Sequence, residues 1–521
     1  VSGMSEVKVL VGDRLVLTAR VGENLGALLA RHNLISLPCG GEGICGLCRV
    51  KIREGPVTPP TKYERLLGYT GSLRLACQTT ILGDLRVELS PGLPKPVKLS
   101  TLIVDPRRIN PLISAQGGGV QELFGHKINV GEDARILLVD LGTTKIAYQV
   151  VTPGGDVLYE DSVFTPLSDF GLDIISRLAR ALEDKRARDE IYSRLRSVVY
   201  EISANHSTHL ILLAGNSVME SFFFNLDLKG LAEYPFKPAT NEVVVDKVGD
   251  RLAIGAPMIA GFLGGDAYAD LIASFQLNID KPYLLIDLGT NTEIFLVKDE
   301  EVYATTTPSG PAFETGISRG STVFQGGVYR ARMTGVKDEK PVFQYSYFVA
   351  PTGILGPALI SILADLRRGG FIDEGGRIVR GYKTLNGMKI LYIDESRDLY
   401  ISQVDVRNIQ KAIAAVKSGV RILMREAGVS KDSLKGLIIA GNFGVNLDVE
   451  DAMTLGLIPS VEKDIVVATG NLVLPGLRVA ILDREYLLNS KTILEEIKTV
   501  ELPKTPGYMD IWVDSLRLTP L

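Results

Sequence analysis

The chain has four cysteines, Cys39, Cys45, Cys48 and Cys77, all inside one short window of its 521 residues. Their spacing is C-x5-C-x2-C, and the fourth follows after a further 28 residues. The first three lie in Pro-Cys-Gly-Gly-Glu-Gly-Ile-Cys-Gly-Leu-Cys-Arg. A sulfur-bridged di-iron cluster needs four thiolates converging on one small volume. Glycine at 40, 41, 43 and 46 lets the backbone wrap tightly and aim N–H groups at the sulfurs. A zinc site favours two paired C-x2-C knuckles, and only one stands here. A redox disulfide at Cys45 and Cys48 leaves Cys39 and Cys77 without a role, and four cysteines are too sparse for a disulfide scaffold. The expectation is a 2Fe–2S cluster held by Cys39, Cys45, Cys48 and Cys77.

A second chemistry begins at Asp140-Leu141-Gly142-Thr143-Thr144 and returns 147 residues later as Asp287-Leu288-Gly289-Thr290-Asn291. A Gly-Thr turn presents backbone N–H groups and hydroxyls, a concave nest for phosphate oxygens. Two such turns facing each other grip a polyphosphate between them. Asp140 and Asp287 share the sign of the phosphates, so they need Mg²⁺, held through its water shell, or a water in between. The echo extends to Ala214-Gly215-Asn216 and Ala440-Gly441-Asn442, each at the end of an apolar run. One Asp-x-Gly-Thr is an ordinary turn; two copies with matching downstream partners point to nucleotide binding.

The elements that must hold these residues are legible in the apolar pattern. Val7–Leu10 and Leu15–Leu17 form a hairpin, Asn24–Arg31 a helix, and Leu85–Leu89 a closing strand, which together describe a β-grasp. Pro91, Pro94 and Pro96 stop the sheet, and Gln116-Gly117-Gly118-Gly119 marks a turn. Residues 91–131 therefore read as a partly ordered linker with a short helix at Val120–Phe124. Beyond it, each Gly-Thr turn joins two strands, giving two similar α/β halves, 132–278 and 279–500, with a tail at 501–521. Residues 4–90 form the first domain. Ser402–Ala427 carries apolar residues at helical spacing and is a core helix.

The charge balance of −4 argues against a nucleic-acid surface. The nearly uncharged stretch Ala253–Gly265 is well short of the roughly 20 residues that cross a bilayer. With no charged-then-apolar leader, the expected location is cytoplasmic.

The duplicated pattern resembles the actin, sugar-kinase and heat-shock-chaperone ATPase superfamily. That resemblance implies a third acid ahead of the second turn, which falls on Asp266 in Gly264-Gly265-Asp266, and an adenosine-facing glycine turn at Gly441-Asn442. Joined to a cysteine domain, the whole resembles the reductive activators of corrinoid proteins, the RACo type, over residues 4–500. Further matches are Phe170–Arg177, Ser309–Glu314 and Gln403–Lys411. The fold implied is a multidomain α+β and α/β protein, with a β-grasp ferredoxin-like domain, a linker and duplicated actin-like (ribonuclease H-like) ATPase halves.

The function implied is an ATP-dependent iron–sulfur reductase of anaerobic metabolism. It restores Co(II) corrinoid on a partner to Co(I) for methyl transfer, with 2Fe–2S, ATP and Mg²⁺ as cofactors. Asp140, Asp266 and Asp287 would be catalytic; Gly142, Thr143, Thr144, Gly289, Thr290, Asn291, Gly441 and Asn442 would bind nucleotide. A corrinoid protein or methyltransferase and a low-potential electron donor are the expected partners, nucleic acid and membrane are not, and a homodimer stays open. Two stretches depart from the family pattern, Pro351–Pro357 and Gly470–Gly476. Large apolar residues there are expected to narrow the cleft or alter hinge motion, slowing turnover more than binding. Two rivals remain: an ATP-dependent activator of another low-potential enzyme, and a redox-sensing nucleotide-binding module without turnover. A sugar or acetate kinase has no use for a cluster.

Overall fold

The computed structural model describes residues 6–521 except 13–14, 33, 36–47, 62–63, 66–70, 90–109, 115–118, 132, 172, 311–316, 321–326, 349–352 and 446. Cys39, Cys45, the first part of the linker and most of the 309–314 motif lie outside the described residues.

The amino-terminal sheet contains β1 (Glu6–Val11), β2 (Leu15–Arg20), β3 (Arg49–Glu54), β4 (Leu73–Leu75) and β5 (Leu85–Leu89). Its order is β2-β1-β5-β3-β4, with β1 and β5 parallel, as a β-grasp requires. Helix α1 (Leu25–Arg31) buries Leu25, Leu28 and Leu29 against Val9, Val50 and Val87. Its N-cap is Asn24, whose Oδ1 accepts from the Ala27 N–H at 3.0 Å.

The expected helix at Val120–Phe124 is instead a hairpin of β6 (Gly119–Leu123) and β7 (His126–Val130). Phe124 and Gly125 take positive φ values of 49° and 76°, which turn the chain back at once. The hairpin buries Leu123, Ile128 and Val130 in the core of the larger body, so the second part of the linker belongs to that body.

The first half is a six-stranded sheet of β8 (Ile136–Leu141), β9 (Lys145–Val151), β10 (Val157–Phe164), β11 (Leu210–Gly215), β12 (Val244–Val248) and β13 (Arg251–Gly255), ordered β10-β9-β8-β11-β13-β12. Around it lie α2 (Ile174–Glu183), α3 (Lys185–Asn205), α4 (Ser217–Phe223) and α5 (Gly265–Ser274). In the second half β14 (Tyr283–Leu288), β15 (Asn291–Lys298) and β16 (Glu301–Pro308) open the sheet. A separate hairpin, β17 (Gly327–Lys337) with β18 (Lys340–Phe348), and a small sheet of β19 (Lys383–Leu385), β20 (Met388–Asp394) and β21 (Leu399–Ser402) are inserted. Then β22 (Gly436–Ala440), β23 (Val466–Gly470) and β24 (Ile497–Thr499) complete the order β23-β22-β14-β15-β16-β24. Its helices are α6 (Gly356–Arg368), α7 (Gln403–Glu426), α8 (Val473–Leu482) and α9 (Tyr508–Ser515).

Five strands of each half therefore superpose in order and direction: β10-β9-β8-β11-β13 against β16-β15-β14-β22-β23. The central strands β8, β11, β14 and β22 read as apolar runs, interrupted in β8 and β14 only by the aspartates near their ends, because both faces are covered. Helix α7 begins at a capping box of Ser402 and Asp405 and buries Val406, Ile409, Ile413, Val416, Val420 and Leu423, the face read from the sequence.

The halves meet through α5 and α8. A Cβ on Gly476 would lie 2.0 Å from the Ala269 carbonyl oxygen, so glycine is what allows the two helices to touch. Leu472, Val473 and Leu474 pack into this shared core beside Ala267 and Leu271. The apolar departure at 470–476 thus serves helix packing. At the far end of α8, Ile481 accepts from the Leu112 N–H, and Arg484 N–H donates to the Asn110 carbonyl, both at 2.8 Å. Residues 501–521, expected as a tail, instead pack on α7. Gln410 Nε2 donates to the Leu516 carbonyl at 2.8 Å, and Lys417 Nζ to the Thr519 carbonyl at 2.7 Å.

Candidate functional site

Cys48 and Cys77 are both buried and sit on neighbouring chain segments. Arg49 of β3 pairs with Leu75 of β4, and Ala76 N–H donates to the Cys48 carbonyl at 2.8 Å. Asn24 Nδ2 donates to the Cys77 carbonyl at 2.8 Å, so the cap of α1 also fixes Cys77. A Cβ on Gly26 would fall 2.6 Å from Cys77 N and Cα, which is why the helix carries glycine there. Behind β4, Arg74 forms a two-pronged bond to Glu64 at 2.8 and 2.9 Å, with both side chains buried, and Glu64 also accepts from the Leu75 N–H at 2.9 Å. Two buried thiols on a rigidly braced sheet suit soft-metal ligation, and the donor chemistry fits an iron–sulfur cluster.

In the larger body, Asp140 lies near the end of β8 beside Ala214 of β11, and Asp287 near the end of β14 beside Ala440 of β22. Asp266 opens α5, where its Oδ1 accepts from the Ala267 N–H at 2.7 Å. These three are half-buried, reachable by water yet ringed by protein. Burial pushes Asp140 up to about 7; its bond from Asn471 Nδ2 opposes the shift and the Asp287 charge adds to it. Burial likewise raises Asp266 to about 7, helped by the charges of Asp140 and Asp287. Asp287 is raised by burial too.

Three further acids join them: Glu220, Asp270 and Glu293, each buried and each held well above the usual carboxylate range by burial first. Neither Asp270 oxygen has a hydrogen-bond partner among the described residues; once protonated, Asp270 would donate to Asp287. Glu220 accepts from the Gly215 N–H at 2.8 Å, tying the Ala-Gly-Asn turn to the start of α5, where a Cβ on Gly265 would strike Glu220 Oε1 at 2.1 Å. Unpartnered carboxylate oxygens on this scale fit a hard divalent cation such as Mg²⁺. Among the described residues no three acidic, histidine or cysteine side chains are grouped so as to ligate an ion directly.

The two Gly-Thr turns are not identical. In the first, Asp140 pairs with Ala147 and residues 142–145 turn the chain; in the second, Asp287 pairs with Glu293 and residues 289–291 suffice. The first turn has its carbonyls tied back. Thr165 Oγ1 donates to the Gly142 carbonyl at 2.9 Å, Arg177 to that of Thr143 at 2.7 Å, and Thr165 N–H to that of Thr144 at 3.0 Å. A trans peptide places the following N–H on the opposite edge, so the amides face away from these anchors. Beside the second turn, Gly310 N–H donates to the Thr290 carbonyl at 2.9 Å, and Thr292 Oγ1 lies 2.6 Å from Ser309 Oγ. Gly441, at φ 83°, approaches so closely that a Cβ would lie 2.5 Å from Asp287 Oδ1. The backbone of Asn442 follows in the short helix Gly441–Val445.

Three family models match in order along the chain. They are the 2Fe-2S iron-sulfur cluster binding domain at residues 9–82, the RACo middle region at 137–278, and the C-terminal domain of RACo, the ASKHA domain, at 281–520. The chain belongs to the RACo family. Among curated relatives of this RACo chain is the corrinoid activation enzyme RamQ of Eubacterium limosum, 29% identical over 412 residues, covering 72% of this chain and 68% of the relative. Another is the [Co(II) methylated amine-specific corrinoid protein] reductase of Methanosarcina barkeri, 25% identical over 409 residues, covering 70% and 71%. A solved structure described as a reductive activator for corrinoid,iron-sulfur protein shares the fold at a TM-score of 0.67, with 23% identity and 99% of each chain covered.

In this RACo chain the structure brings together Asp140, Asp266 and Asp287, the two turns and Gly441, along with Cys48 and Cys77. Sequence reasoning missed Asp270, Glu293, Glu220 and the contact of Asn471 with Asp140. A signal for Asp270 was present: it stands four residues after Asp266, on the same helix face.

Proposed function

We propose that the chain is an ATP-dependent reductive activator that delivers one electron to an inactive Co(II) corrinoid on a partner protein, yielding Co(I) for methyl transfer. The observation that carries this reading is the union, in one RACo-family chain, of a braced cysteine pair on a β-grasp sheet with two duplicated sheets whose strand ends gather six mutually influencing carboxyls. RamQ and the methylated-amine reductase, both named for work on corrinoid systems, support the choice of partner. A low-potential donor, a cytoplasmic location and a division into an amino-terminal domain at 4–90 and two halves at 132–278 and 279–500, the second joined by the packed 501–521 segment, belong to the same proposal.

Cys39, Cys45, Cys48 and Cys77 would hold the 2Fe–2S cluster, which when bound supplies a one-electron carrier near about −400 mV. Gly142, Thr143 and Thr144 from one side and Gly289, Thr290 and Asn291 from the other bind and orient the triphosphate. Gly441 and Asn442 border the adenosine. Asp140, Asp266 and Asp287 would hold hydrated Mg²⁺, which would neutralise phosphate charge, and they align the attacking water; burial raises the proton affinity of all three. Each 100 mV of uphill transfer costs about 2.3 kcal/mol per electron. Closure of the halves about α5 and α8 on ATP is where that work enters.

The test is anaerobic reduction of a corrinoid protein, followed by its cobalt absorption bands, with and without Mg-ATP. Co(I) should accumulate only with nucleotide, and both Cys48→Ser and Asp287→Ala should lose it. Reduction at equal rate and extent without ATP would sink the proposal.

A further inference from the structure

Arg177, in α2, belongs to the Phe170–Arg177 motif that the catalytic reading leaves without a role. It is 3% exposed. Its Nε donates to the Gly171 carbonyl at 2.9 Å and its guanidinium to the Thr143 carbonyl at 2.7 Å, with Met219 Sδ at 3.7 Å. Among the described residues no carboxylate forms an ion pair with it, although Asp173 is near enough to be felt. Arg74, equally buried, has Glu64 on both prongs. A buried guanidinium without a counter-charge is costly, and two carbonyl dipoles offset only part of that cost.

The position explains the expense. Arg177 lies on the carbonyl side of the Thr143–Thr144 peptide, and the Thr144 N–H lies on the other side. An anion on that N–H sits roughly 8 Å from the guanidinium, through one peptide unit and two hydrogen bonds. Over that distance, in a protein interior, opposite charges still attract strongly.

We propose that Arg177 is a charge-positioning residue, an unpaired cation set behind the Gly142–Thr144 turn that draws the polyphosphate to the amide face and gains its counter-charge from it. The ligand class this selects is the nucleoside triphosphate over less phosphorylated nucleotides. The inference rests on the first turn being a phosphate site.

Calorimetric titration of the full-length protein with ATP, ADP and AMP in Mg²⁺ buffer tests it, with thermal melts verifying the fold. Wild type should bind in the order ATP, ADP, AMP. Arg177→Met should weaken ATP about 30-fold, ADP about tenfold and AMP about threefold or less, an effect graded by phosphate charge. Arg177→Lys should recover most of the ATP-to-AMP ratio. Should Arg177→Met not fold, Arg177→Gln, which keeps a donor for Thr143 without charge, replaces it and should show the same grading. Equal weakening of all three nucleotides, or none, overturns the proposal, as does failure of Arg177→Lys to restore the ratio. If wild type binds no nucleotide, the phosphate reading itself fails, a result distinct from a flat ratio in the variants.

Discussion

The two Gly-Thr turns end equivalent strands of duplicated sheets, yet different ionisable groups stand beside them. Behind the first stands the guanidinium of Arg177, and opposite Asp140 is the neutral Ala147. Beside the second stand Asp270 and Glu293, the latter directly across from Asp287. Duplication kept the backbone device and changed what surrounds it: a guanidinium backs the first turn, and two buried carboxyls flank the second.

That contrast can be broken in steps. The largest effect belongs to the second turn. Asp287→Ala should lower ATP hydrolysis in the presence of corrinoid partner on the order of 100-fold, whereas Asp140→Asn, which still accepts from Asn471, should lose nearer tenfold. A reversed ranking in steady-state assays would overturn the contrast.

Next comes the glycine pair. Gly441→Ala adds a methyl against Asp287 at positive φ and should cost about 1–3 kcal/mol in urea unfolding. Its counterpart Gly215→Ala crowds Leu141 without a left-handed backbone and should cost less.

A smaller effect is expected with pH. Asp140 and Asp266 stay protonated to about 7 in the fold, while an unfolded aspartate titrates near 3.8. The folded protein therefore binds more protons across that window, and the nucleotide-free form should lose stability as pH rises through it. Saturating Mg-ATP should flatten the slope in melts between pH 5 and 8.

The smallest change is Asn471→Ala. It removes the amide that opposes the rise of Asp140 and a bond from the Leu474 N–H, 3.2 Å long, in the first turn of α8. Stability should fall by about 1 kcal/mol, and the pH midpoint should move upward.

The sequence made the local devices visible and hid the pairings. The helix at Asn24–Arg31, Leu85–Leu89 as an alternating strand and the apolar face of Ser402–Ala427 were legible because each is decided within a few residues. Val120–Phe124 was misjudged because its fate depends on His126–Val130 folding back onto it. The turns look alike as Asp-Leu-Gly-Thr, and the one-residue difference in register appears only once hydrogen bonds choose partners. Glu293 followed from that choice. A charge at the head of the run Thr-Glu-Ile-Phe-Leu-Val was the available hint.

Helix α8 joins distant places. Asn471, two residues ahead of the helix, touches Asp140, while the helix's trailing end is bonded to residues 110 and 112, through Ile481 to Leu112 and Arg484 to Asn110. Ten helical residues make a rod about 15 Å long. Residues 110 and 112 and the carboxylate of Asp140 are thus anchored at opposite ends of one short rigid rod, so neither anchor can be displaced along its axis without the other.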